Sequence, residues 1–403
     1  MIVKLAWKNN WRNPVRSLIV LLSVAMSVFA GIFILALYQG MMDSRTRNVI
    51  NHETGHLQIH HKKYKEEEWL PALPRVDVLD TVLRNSSLVS AYALRSVLNG
   101  MASTPTGSNG IQLVGIEPEG EYGTTGTNQT IIEGKPLTSQ DEHHVMIGKR
   151  LADKLGVHTG QKMVLTFADS AGNLMSSAFR IKGIYQTENA IRDAFRVYVL
   201  RKTISYQLQT PDLVQEVSIV MSNPDSLLVL AHRLSLLTGD HLVETWMETS
   251  PETYLMISFV DRYSYVVMTV LLLAIAFGIM NTMMMSVLER SGEIGMLRAV
   301  GMPVRVLVSM ISLETLFLTV LGVPVGLCLS WILILLLQHT GIDFSKTGAE
   351  MMASFGFESR LFPVYPLSKI PGILLLIFLT SLFSALLPVW KSVQLNTLRS
   401  LQE

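Results

Sequence analysis

Residues 263–302 read YSYVVMTVLLLAIAFGIMNTMMMSVLERSGEIGMLRAVGM, and this stretch decides the architecture. The part from Tyr263 to Leu288 holds no charged residue and is long enough for a helix to cross roughly 30 Å of hydrocarbon. The rest crowds Glu289, Arg290, Glu293 and Arg298 into a short segment before a second apolar run begins. A plain turn would join two membrane spans, so a compact charged helix there needs another reason.

Outward from this point, three more uncharged runs occur at 17–42, 315–338 and 370–390. They concentrate the apolar excess of a chain that is 49% hydrophobic and only 16% charged, with a mean hydropathy of +0.35. The expected fold is therefore a four-span α-helical bundle with a large extracytoplasmic α/β domain between the first and second spans. The expected boundaries are a cytoplasmic amphipathic elbow at 1–16, spans at 17–42, 261–288, 305–338 and 370–390, and the large domain at 43–260. A cytoplasmic coupling helix at 289–304, an outer loop at 339–369 and a cytoplasmic tail at 391–403 complete the division.

Lys4, Lys8, Arg12 and Arg16 precede the first span with no acid before Asp43, which places the N-terminus in the cytoplasm by the positive-inside rule. The first uncharged run far exceeds the 7–15 residues or so of a cleaved signal, so it reads as an uncleaved anchor. Alternation then puts the 289–305 loop and the C-terminus inside. Within the elbow, Leu5, Trp11 and Val15 fall on one helical face flanked by bases, and Pro14 stands just before the span. Tryptophan anchors of a simple topology signal would read the same way.

The 43–260 region alternates short β-branched runs (IQLVGIEP, HHVMIGKR, KMVLTFAD, AFRIKGIY, FRVYVL) with the helical patterns KRLADKLGV and NPDSLLVLAHRLSLLTG. It reads as a mixed α/β domain of two lobes. TPTGSNG, 104–110, reads as a hairpin tip, and YGTTGTNQT, 122–130, as a loop.

The sequence carries no phosphate-binding loop, dinucleotide fingerprint, nucleophile elbow or HExxH zinc motif. The net charge of +1 and the lack of a basic block give no reason to expect nucleic acid, and the single Cys328 offers no disulfide or thiolate cluster. His52, His56, His60 and His61 form the best metal candidate, but GHLQIHH alternates like a strand and reads instead as a solvated face carrying His56, Gln58 and His60. Asn281 and Glu314 are the notable polar residues in the spans. Glu314 lies nine residues past Arg305, near enough to the inner surface to sit among headgroups. A string of intramembrane acids suited to a proton relay is missing. Gly322, Pro324 and Gly326 would allow close packing or a kink in the third span.

The 289–302 segment has Ile294, Leu297 and Val300 or Gly301 on one side at helical spacing, Glu289, Glu293 and Arg298 outside, and Gly301 as a stop before Pro303. It is an amphipathic helix aimed at a cytoplasmic groove or at the lipid surface.

ERSGEIGMLRAVGM resembles the coupling motif of the FtsX-like ABC permeases, a family that includes the lipoprotein-releasing LolC/LolE and the efflux pump MacB. LAWKNNWRNPVRS and VMIGKRLADKLGVHTGQKMVLTF…FRIKGIY share the resemblance, which runs through the whole chain. It implies a MacB-type periplasmic core for the large domain and a bacterial inner-membrane location. It further implies that Glu289, Arg290, Glu293, Ile294, Gly295, Leu297, Arg298 and Gly301 dock into a separate ABC ATPase. That ATPase would bind ATP and Mg, leaving this chain a non-catalytic subunit with no cofactor of its own. ETGHLQIHHKKY and the chain length resemble the lipoprotein-releasing branch. In that branch a second permease copy or paralogue completes a dimer, and a lipoprotein passes from between the first two spans to a periplasmic carrier. The implied acyl-facing residues are Phe29, Phe33, Leu37, Tyr38 and Met41 with Phe259, Tyr263, Val266 and Met268. MacB-like efflux with a periplasmic adaptor, FtsX-like mechanotransmission to a cell-wall hydrolase, and a membrane-embedded hydrolase are the competing expectations.

Overall fold

Helix-forming apolar runs and β-branched alternation segregate along the chain, and so do the folded units. The computed structural model describes residues 2–64, 71–169, 171–210, 212–237, 241–345 and 348–384. Contacts divide the chain into one unit of residues 1–41, 258–342 and 361–403 and another of residues 42–257 and 343–360.

In the first unit an elbow helix, Ile2–Asn10, precedes the first span helix, Pro14–Asn48. The second span helix is Pro251–Glu289, the third Val304–Thr340 and the fourth Ile370–Ser384. Among the described residues, four helices are therefore long and apolar enough to cross a membrane. Residues 385–390 of the fourth expected span and the expected tail at 391–403 lie outside the described residues. Val24, Val28, Ile32, Met268, Leu272, Ile275, Ile279, Leu318, Ile334, Ile373 and Ile377 form the bundle core. The first and third span helices approach closely because Gly322 and Gly326 present no side chain: a Cβ at Gly326 would stand 2.5 Å from the Ala25 carbonyl oxygen and 2.7 Å from Val28 Cβ. Thr319 Oγ1 and Ser381 Oγ, 2.6 Å apart and fully buried, join the third and fourth helices where lipid offers no other partner.

The second unit is built on ten strands: β1 Leu57–His61, β2 Val89–Thr104, β3 Gly107–Ile116, β4 Ile131–Gly134, β5 His144–Gly148, β6 Lys162–Ala168, β7 Leu174–Tyr185, β8 Arg196–Leu200, β9 Glu216–Met221 and β10 His241–Thr245. The order is β10-β1-β9-β2-β3-β8-β5-β7-β4, and β6 pairs with both β2 and β7. That double pairing closes β2, β3, β8, β5, β7 and β6 into a barrel, whose interior holds Leu98, Leu113, Val145, Ile147, Leu165, Phe167, Phe179, Ile181 and Val197. β2 is 16 residues long and belongs to both lobes: Val89–Arg95 pairs β9, and Ser96–Thr104 pairs β3. On the other lobe the helices Val76–Arg84 and Leu227–Leu237 bury Leu79, Leu83, Leu230 and Leu234 against Leu57, Ile59, Val217 and Ile219.

The two-lobed α/β expectation matches this architecture, and the β2–β3 hairpin turns at Pro105-Thr106, inside the expected tip. Two readings need correction. The expected loop at 122–130 is instead the end of a helix, Pro118–Thr125, followed by a 3-10 turn, Thr127–Gln129. Pro118 starts the helix at its first position, and the Thr124 and Thr125 hydroxyls fold back onto the Gly120 and Glu121 carbonyls. His56, Gln58 and His60 are buried rather than solvated. β1 lies between β9 and β10, and Gln58 Nε2 bonds Glu216 while His60 bonds Gln58 and stacks on Tyr64. The alternation there separates an apolar core from a buried polar one. Among the described residues no group of three or more His, Cys, Asp or Glu side chains could hold a metal.

Residues near the two ends of the 42–257 segment meet in an ionic knot. Arg45, near the end of the first span helix, donates to Glu53 (2.6 Å) and to Thr253 Oγ1 (3.1 Å) in the second span helix. Arg192 donates to both a Glu53 carboxylate oxygen (3.2 Å) and the Glu53 carbonyl (2.7 Å), and Asn189 adds a bond of 2.8 Å. Buried charges of this kind persist only when each is satisfied several times over.

Candidate functional site

The charged segment of the opening stretch folds as a helix, Ser291–Ala299. Glu293 in its first turn and Arg298 in its last complement the helix dipole. It stops at Gly301, whose φ of +95 the absence of a Cβ allows. Gly301 N donates to the Arg298 carbonyl and Met302 N to the Leu297 carbonyl, satisfying the last turn.

Which face is covered differs from the periodicity reading. Ile294 and Gly295 turn inward, Ile294 packing with Ala6, Val287, Leu307, Met310 and Ile311. Arg290 also points in, toward Glu314. Ile294 and Gly295 are buried and Arg290 is half-buried, with the elbow and third span helices on that side. The surface left open carries Glu289 and Glu293 with Met296, Leu297 and Val300, the last 84% exposed. Arg298 is half-buried beside it, and Gly301 is exposed at the end.

Glu314 is enclosed by protein. It is buried at 5% exposure and accepts from Asn9 Nδ2 at 2.6 Å, while Arg290 Nη1 stands 3.5 Å away. Its backbone carbonyl accepts from Asn10 Nδ2 at 3.0 Å. Arg290 Nε lies 3.3 Å from Glu293, and Arg12 Nη1 pairs with Glu293 at 2.8 Å. These groups line a polar cavity of about 220 Å³ with Asn13, Ser17 and Glu289. Sequence reasoning missed Asn9 and Asn10; two adjacent amides on a membrane-surface helix were the available signal. Asn281 is exposed on the second span helix.

The proposed acyl-facing residues separate. Tyr38, Phe259, Tyr263 and Val266 are exposed; Phe29, Phe33, Leu37 and Met41 are half-buried, with the Phe29 and Phe33 rings stacked at 6.1 Å. Met268 is buried in the bundle core and packs beside Gly31.

Residues 17–233, more than half of the chain, match the MacB-like periplasmic core domain, and residues 265–397 match the FtsX-like permease C-terminal domain. The chain is an FtsX-like ABC-transporter permease. The lipoprotein-releasing system transmembrane protein LolC of Neisseria meningitidis serogroup B is 22% identical to the permease over 353 residues, 79% of each chain. The LolC of Xylella fastidiosa is 21% identical over 274 residues, 65% of each chain. Among solved structures, the periplasmic region of MacB from Actinobacillus actinomycetemcomitans aligns with a TM-score of 0.36 and 15% identity, covering 52% of the permease and 95% of that chain. Membership in this family makes the permease one component of an ABC transporter and implies an ATPase partner.

Proposed function

We propose that the permease uses a separate ATPase, which holds ATP and Mg, to drive movement of its extracytoplasmic domain and so extract lipoproteins from the bacterial inner membrane. The N- and C-termini lie in the cytoplasm in this reading, and a second copy or paralogue completes the transporter. One observation carries the coupling role: a short helix, pinned by Ile294 on its inner side, holds Leu297 and Val300 out beside Glu293. Exposed apolar side chains rimmed by charge on a short rigid helix suit a helix-in-groove contact. The choice of cargo is supported by the two LolC relatives, which are transmembrane proteins of lipoprotein-releasing systems. The MacB-like match over 17–233 supports efflux as the alternative, and the FtsX-like match over 265–397 supports mechanotransmission as the next.

The test is purification of the permease from its native membrane in mild detergent, with mass spectrometry of what accompanies it. An ATPase and an acylated lipoprotein are expected. An ATPase with a periplasmic adaptor or a wall hydrolase would move the function to efflux or mechanotransmission. Glu293→Ala with Leu297→Arg should lose the ATPase; stoichiometric retention would sink the coupling assignment.

A further inference from the structure

Three elements far apart in sequence meet at Glu314. The third span helix supplies the carboxylate, the elbow helix supplies Asn9 and Asn10, and the segment leading into the coupling helix supplies Arg290. Glu293 extends the chain of contacts, taking Arg290 on one side and Arg12 on the other. A carboxyl group this deeply buried is retained only with close partners, and the partners are unequal. Asn9 at 2.6 Å and Arg12 at 2.8 Å are tight contacts, whereas Arg290 stands at 3.3 Å from Glu293 and 3.5 Å from Glu314, at the long limit of a hydrogen bond to each. The adjoining cavity leaves its guanidinium room to move.

We propose that Arg290 and Glu314 are positioning residues through which a displacement of the coupling helix is passed to the third span and the elbow helix. When a docked ATPase draws on Glu293, the hold of Glu293 on Arg290 weakens and Arg290 closes on Glu314. The coupling helix, elbow and third span then move as one body, since Glu314 of the third span contacts both Asn9 of the elbow and Arg290 at the head of the coupling helix. Without this link the hold of the coupling helix on the third span would rest on the packing of Ile294 against Leu307, Met310 and Ile311, which resists sliding less than a directional ion pair does. The inference rests on the coupling role proposed above.

The experiment is hydrogen exchange on the full-length permease with its co-purified ATPase in nanodiscs, nucleotide-free against ATP-vanadate-trapped. In the parent protein, trapping should change protection in 289–302, 2–12 and 304–316 together. Glu314→Gln keeps an acceptor for Asn9 but removes the charge. It should retain the ATPase and the response of 289–302, while losing the response of 2–12 and 304–316. Arg290→Gln, which alters the more accessible partner, should dissociate the responses in the same way should Glu314→Gln fail to fold. Unchanged responses of 2–12 and 304–316 in the variants would overturn the proposal, as would their silence in the parent while 289–302 responds. A parent in which 289–302 itself is silent and no ATPase accompanies the chain would instead remove the coupling role on which the proposal stands.

Discussion

Arg12 Nη1 lies 2.8 Å from Glu293 Oε1, so the segment between the elbow and the first span helix is ionically tied to the first turn of the coupling helix. Both side chains are well exposed, at 64% and 41%, and a screened pair of this kind contributes no more than about 1 kcal/mol. Arg12→Ala should therefore leave thermal stability almost unchanged and still retain the ATPase, whereas Glu293→Ala should weaken ATPase retention. Pull-down of the ATPase with each single variant checks this. Equal loss from both would mean that Glu293 acts through the elbow and not at the docking surface.

A second ionic cluster lies wholly inside the α/β unit. Arg95 on β2 is fully buried and holds Glu121 through two bonds, at 2.7 and 2.9 Å, and Glu216 on β9 through a third at 2.7 Å. Burial pushes the Glu216 carboxyl up, but the positive charge of Arg95, aided by His60 and Arg196, outweighs it and holds the group below its usual range. Its stabilisation is thus present above the unfolded pKa and lost only as pH falls through the lower folded value. Arg95→Met removes the main counter-charge of two buried carboxylates and should cost about 3–5 kcal/mol. Amide exchange in β2 and β9 should accelerate accordingly, and adding Glu121→Gln and Glu216→Gln should recover much of the loss. Recovery in the triple variant separates uncompensated charge from lost packing.

Asp193 has the opposite sign. Burial raises its carboxyl from 3.8 to about 6, against the bonds it accepts from the Thr187 N–H and hydroxyl. The folded protein holds this proton more tightly, so the associated stability is complete below about pH 4, declines as pH rises to about 6, and is absent above. Asp193→Asn can keep both Thr187 contacts if the hydroxyl reverses. The variant should match the parent near pH 4 and exceed it by roughly 2–3 kcal/mol near pH 7. Unfolding midpoints compared across that range provide the measurement, and a pH-independent difference would assign the effect to packing.

What the sequence made legible was local. Uncharged runs give span helices, β-branched alternation gives β3 and β5 to β8, and Gly301 marks a helix end whatever lies nearby. What it hid was pairing at a distance. Asn9 and Glu314 are 305 residues apart, and neither residue alone signals the bond between them. Periodicity grouped Ile294 with Leu297 and Val300; only Ala6 and Leu307, packed on one side, decide that Ile294 is covered while Val300 is open. His60 and Gln58 misled for the same reason, since an alternating strand looks half-solvated until Glu216 and Arg95 are seen to supply a buried polar face.

Two glycines in the span helices test the bundle by contrast. A Cβ at Gly326 would meet the Ala25 backbone and Val28, neither of which can swing aside, whereas a Cβ at Gly278 meets nothing within 4 Å. Gly326→Ala should separate the first and third span helices by a few tenths of an ångström and cost about 1–3 kcal/mol; Gly326→Leu should prevent that packing altogether. Gly278→Ala adds a methyl to an open face and relieves the helix penalty of glycine, so it should be neutral or stabilising by up to about 1 kcal/mol. Thermal unfolding in detergent with a tryptophan or scattering readout ranks the three. The ranking depends on the direct approach of the first and third span helices, and a Gly326→Ala variant as stable as Gly278→Ala would show that these helices do not pack through Gly326 in the membrane.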